Sequence, residues 1–67
     1  MQIQLNGEAL TLEPATRSVA ELVESLGLAG QRIAVEVNEE IVPRSEHGST
    51  RLGEGDRVEV VHAIGGG

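Results

Sequence analysis

The chain has no cysteine, no aromatic residue and no lysine. Without Cys there is no disulfide, no thiolate nucleophile and no Cys-ligated metal site. Without Phe, Tyr or Trp the core must be built from Leu, Ile, Val and Ala, and no ring is available to stack on nucleobases. All five basic residues are Arg, so no side chain carries a primary amine. No stretch has the apolar length of a signal peptide or a membrane helix, and a cytoplasmic location is expected.

What is present fits one small domain of 67 residues with 39% hydrophobic residues, enough for a single core. A chain this short buries only roughly 60% of the surface its unfolded form exposes, so modest stability is expected. The formal charge of −6 and the pI of about 4.7 disfavour nucleic acid and anionic membranes. They favour a protein partner with a basic docking surface.

Read in order, Met1 to Asn6 alternates with Met1, Ile3 and Leu5 on one face, a half-buried strand. Asn6-Gly7 is a type I′ hairpin signal. The return strand covers Glu8 to Glu13, with Leu10 and Leu12 inward, and Pro14 ends it. Arg17 to Gly27 reads as a helix. Ser18 and Glu21 form a capping box, Val19, Leu22, Val23 and Leu26 make one apolar stripe, and Gly27 sits at C′. Ile33 to Val37 alternates again, Asn38-Glu39-Glu40 is a polar turn, and Ile41-Val42 is a short strand stopped by Pro43. Arg44 to Arg51 is polar with at most one helical turn, and Leu52 anchors it. Gly53 to Asp56 turns into the last strand, Arg57 to Ile64, with Val58 and Val60 inward. One helix covers one face of a mixed sheet of four to five strands, an α+β architecture. With the first and last strands adjacent in the middle, this is the β-grasp, or ubiquitin-like, arrangement.

The last strand delivers Gly65-Gly66-Gly67. Glycines resist any fixed backbone shape. Residues 1–64 are therefore expected to form the domain and 65–67 a flexible tail. The tail is open to two readings, a frayed end or a thread that presents the Gly67 carboxylate to a partner. Val61 and Ala63 fall on the face opposite Val58 and Val60, so they are expected outward, apolar and available for docking, with Ile64 at the junction. His62 reads as a boundary residue without a chemical part. His47 lies in a polar loop with no Cys or second His nearby in sequence, and no metal site is expected. Arg44 is placed either capping backbone carbonyls or touching a partner. The acidic set Glu21, Glu24, Glu36, Glu39 and Glu40 reads as solvated surface.

The whole chain resembles the ThiS family of sulfur carrier proteins, within the wider MoaD/ThiS group. The resemblance rests on the Asn6-Gly7 hairpin, the S-V-A-E-L-V helix opening, V-N-E-E-I-V-P-R at Val37 to Arg44, G-E-G-D-R-V-E-V-V at Gly53 to Val61, and Gly66-Gly67. The family usually has a non-glycine residue before the final pair, where this chain has Gly65. The resemblance implies a carrier and not an enzyme. A ThiF-like partner uses ATP and Mg to adenylate the Gly67 carboxylate, a sulfur donor converts it to a thiocarboxylate, and a ThiG-like thiazole synthase takes the sulfur. No cofactor is expected on the chain itself, and it is expected to be monomeric when free.

The residues suit that chemistry. An α-carboxyl group with a pKa of about 3.3–3.7 is ionised at neutral pH and is a competent nucleophile. Three extended glycines span roughly 10 Å, enough to enter a closed site while the domain stays outside. Side chains at Gly66 or Gly67 would widen the thread and crowd the carbonyl carbon. The same features are compatible with a molybdopterin synthase small subunit, a tRNA-thiolation carrier, a ubiquitin-like modifier, or an interaction domain with an inert tail.

Overall fold

Each stretch of period-two alternation becomes a strand. A computed structural model describes residues 1–63 and gives β1 (Gln2–Leu5), β2 (Glu8–Thr11), α1 (Val19–Ser25), β3 (Ile33–Val37), β4 (Glu40–Val42) and β5 (Arg57–His62), with one 3-10 turn at Arg44–Glu46. The sheet order is β2-β1-β5-β3-β4. β1 and β5 are parallel and every other neighbouring pair is antiparallel. This is the expected β-grasp sheet, with first and last strands adjacent.

The hairpin turn is set by left-handed backbone at Asn6 (φ 49°) and Gly7 (φ 85°), as the Asn-Gly pair requires. A second left-handed pair, Asn38 (φ 52°) and Glu39 (φ 72°), joins β3 to β4. A Glu there carries a Cβ penalty that Gly would not. The turn is steadied from outside, because Asn38 Nδ2 donates to Asp56 Oδ1 at 3.1 Å and Asn38 Oδ1 accepts from the Arg57 N–H at 3.0 Å.

The helix is shorter than the Arg17 to Gly27 span expected from sequence. Ser18 is the N-cap in extended backbone (φ −123°), and Arg17 and Ser18 therefore precede the helix. Gly27 takes φ +75° at the end, where a left-handed residue is wanted. All of the first four helical N–H groups find partners. Val19 and Ala20 donate to the Thr50 and His47 carbonyls at 3.0 and 2.9 Å, Leu22 to the Ser18 carbonyl at 3.0 Å, and Glu21 to Ser18 Oγ at 3.2 Å. The polar Arg44 to Arg51 loop is thus the cap of α1. His47 is buried in it, with Nε2 donating to the Val42 carbonyl at 3.1 Å.

The core lies between α1 and one sheet face and contains Ile3, Leu12, Val19, Leu22, Val23, Val35, Leu52, Val58 and Val60. It is wholly aliphatic. Three margins differ from the sequence reading. Met1 is 38% exposed and not packed beneath β1. β2 stops at Thr11, although the Leu12 N–H still donates to the Met1 carbonyl at 2.8 Å. β5 stops at His62, although the Ala63 N–H still donates to the Arg32 carbonyl at 3.0 Å.

Glu21 Oε1 accepts from the Arg17 N–H at 2.9 Å, the Ser18 N–H at 3.0 Å and the Ser18 hydroxyl at 3.2 Å. The Arg17 amide, then the Ser18 groups and the Arg51 charge, outweigh desolvation and hold its carboxyl below the ordinary 4.5. The folded value lies below the unfolded one. The stabilisation is therefore present above pH 4.5 and is lost as pH falls through the lower folded value. Glu21→Gln removes this titration. Followed by far-ultraviolet circular dichroism, the parent's thermal midpoint should fall more steeply than the variant's on acidification below pH 4.5. Leu22 is fully buried. Leu22→Ala should cost about 2–5 kcal/mol, a large part of a small domain's stability, and should be read as a lower urea midpoint.

Candidate docking face and the strand that leads to the tail

Alternation along β5 sends Val58 and Val60 into the core and Arg57, Glu59 and Val61 to the helix-free face. Cross-strand register then assembles that face. Val61 lies opposite Ala34, Glu59 opposite Glu36, and Glu36 opposite Ile41. Val61 is 56% and Ile41 72% exposed, and Ala34 and Ala63 are exposed as well. The result is an apolar strip beside facing carboxylates. Glu36, Glu39 and Glu59 together with Arg57 line a shallow depression on it. Like charges directly opposite on a sheet destabilise it by a few tenths of a kcal/mol up to about 1.

The sequence-derived docking residues Val61 and Ala63 are where they were expected, outward and apolar. Ile64 and the tail residues Gly65, Gly66 and Gly67 lie outside the described residues, as does the boundary between domain and tail. Sequence reasoning missed Ala34 as the cross-strand neighbour of Val61 and Ile41 as that of Glu36. The alternation of β3 had placed Ala34 outward, but nothing in the sequence gives the register that brings it to Val61.

Two polar side chains fix the environment of this strand. Asn6 donates its main-chain N–H to the Val58 carbonyl at 2.9 Å. Its side-chain amide then bonds the next residue on the same side of β5 twice. Oδ1 accepts from the Val60 N–H at 2.9 Å and Nδ2 donates to the Val60 carbonyl at 3.2 Å. An amide side chain thereby stands in for the strand residue that β1 would have supplied had it continued. On the other side, Arg44 Nη2 donates to the Gln31 carbonyl at 2.7 Å and so caps backbone. His62 is exposed, with Nε2 3.0 Å from Gln31 Oε1. Among the described residues no group of three or more His, Cys, Asp or Glu side chains is placed to hold a metal ion. No helix among them is long and apolar enough to cross a membrane.

Comparison with known proteins gives the same fold and a family. The crystal structure of the thiamine biosynthesis protein ThiS from Geobacter metallireducens superposes with a TM-score of 0.85 at 33% identity, covering all of both chains. The sulfur carrier protein ThiS of Bacillus subtilis is 32% identical over 65 residues, 97% of this chain and 98% of that protein. The thiazole synthase of Magnetococcus marinus is 45% identical over all 67 residues, and that of Paramagnetospirillum magneticum is 39% identical. The chain spans only 20% of the length of each of these two synthases. The model of the ThiS family matches residues 2–67. By sequence along nearly its whole length, and by fold, the chain belongs to the ThiS family.

Proposed function

We propose that this chain is a sulfur carrier of thiamin biosynthesis, acting as co-substrate of partner enzymes at the carboxyl group of Gly67. The observation that carries the reading is the family match running through residue 67, together with exposed Val61 on the strand that precedes those glycines in sequence and exposed Ala34 across from it. The domain supplies a docking surface and a reachable acid, and the catalytic groups belong to the partners.

Two steps follow from the chemistry of a carboxylate. A Gly67 carboxylate oxygen attacks the α-phosphorus of ATP, and pyrophosphate leaves. The resulting acyl-adenylate has a good leaving group. A hydrosulfide-equivalent nucleophile adds to the acyl carbon, AMP departs, one proton is released, and a thiocarboxylate remains. The carboxyl carbon keeps its oxidation state throughout. ATP and its Mg are bound by the adenylating partner, which neutralises the phosphates.

The thiazole synthases that contain a 45% or 39% identical copy of this sequence support a synthase as the second partner. Within those proteins a sequence like this one and the rest of the synthase share one polypeptide, which raises the local concentration of one about the other. For docking, Val61, Ala34 and Ile41 supply desolvation, and Glu36 and Glu59 suit a partner with a basic rim.

Intact mass spectrometry of the protein from cells should show a fraction heavier by one sulfur-for-oxygen exchange. Deleting Gly67, or Gly66→Phe, should abolish that species and leave the circular dichroism spectrum unchanged. Higher-mass conjugates in its place would identify a modifier, and a chain without either species would be an inert domain. Val61→Asp sits at an exposed position, so it should leave the thermal midpoint nearly unchanged. It should weaken use by the adenylating enzyme about tenfold, seen as a raised half-saturating carrier concentration.

A further inference from the structure

The hydrogen bonds around β5 show where its pairing stops. On the β3 side, the Asn38 N–H donates to the Arg57 carbonyl and the Ala63 N–H to the Arg32 carbonyl. Residues 57, 59, 61 and 63 therefore turn their main-chain groups toward β3. Residues 58, 60 and 62 turn theirs the other way, toward β1. Val58 is met there by the Asn6 main chain and Val60 by the Asn6 side chain. The chain then turns away at Gly7. Among the described residues nothing meets the main-chain N–H or C=O of His62, which is exposed.

We propose that this edge of β5 at His62 takes an extended main-chain segment of the adenylating enzyme, added to the sheet as a short strand. The inference rests on the carrier reading above and goes beyond it by naming a contact. Three observations specify the chemistry of the occupant, an extended backbone beside an apolar patch, and the carrier reading names the enzyme that supplies it. A donor and an acceptor on one residue, in extended backbone, match the spacing of another extended backbone. The preceding position on the same edge, Val60, is already satisfied by an amide that mimics a peptide unit. The edge also adjoins the apolar strip, since Val61 precedes His62 and Ala34 lies across from Val61. A strand laid here would hold the end of β5 against the partner.

The test removes the His62 N–H without touching the fold. His62→Pro deletes that donor at an edge position that no described residue pairs with, and proline's φ is tolerated at strand edges. His62→Ala controls for the imidazole. ATP–pyrophosphate exchange by the adenylating enzyme is measured against carrier concentration. The proline variant should need about five- to tenfold more carrier for half-maximal exchange, the worth of one lost main-chain hydrogen bond. The alanine variant should stay within about twofold of the parent, and all three should share a thermal midpoint. If the proline variant is unfolded, a chemically synthesised chain with an ester in place of the His62 amide replaces it and must show the same rise. Exchange as efficient as that of the alanine variant overturns the edge-pairing inference and leaves the carrier reading standing. A parent chain that supports no exchange at any concentration overturns the carrier reading, and this inference with it.

Discussion

The register of β5 is the constraint on which the rest of the structure depends. This strand is flanked by β1 on one side and β3 on the other. Because side chains alternate, a slip of one residue would turn Val58 and Val60 to solvent and bring Glu59 and Val61 into the core. The register is held at both ends of the strand. Near its start, the Gln4 N–H reaches the Asp56 carbonyl and Asn38 holds the Arg57 N–H. Near its end, the Asn6 amide holds Val60. The outward direction of Val61 is therefore fixed by buried contacts on the opposite face.

The candidate docking surface lies on the side of the sheet that the helix leaves bare. One helix of seven residues cannot cover both faces, and the uncovered one carries Val61, Ala34 and Ile41 beside Glu36 and Glu59. Facing carboxylates and exposed β-branched residues add nothing to the domain's own stability. They suit a surface that is buried only when a partner arrives. A small strip with a charged margin is the kind of surface that associates quickly and holds weakly.

Much of this could be read from the residues. The two Asn-led turns, the capping box at Ser18 and Glu21, the Val19, Leu22 and Val23 stripe, and the inward set of β5 are all local patterns, and local patterns survive folding. What escaped was set by contacts distant in sequence. The loop from Arg44 to Arg51 looked irregular and polar, yet its carbonyls cap α1 and its His47 is buried. Nothing near His47 in the sequence announces a carbonyl partner at Val42. The second use of Asn6, as a clamp on Val60 fifty-four residues away, was hidden behind its obvious use in a turn. Likewise the strip around Val61 needed strand register, which alternation alone does not supply.

The capping of α1 by the Thr50 and His47 carbonyls bears on the order of assembly. A segment of seven residues is too short to persist as an isolated helix. Two of its opening amides, those of Val19 and Ala20, wait for acceptors at Thr50 and His47, far downstream in the chain. The helix cap is consequently complete only once that loop is docked. Loosening the distant loop would melt both together, as one cooperative unit.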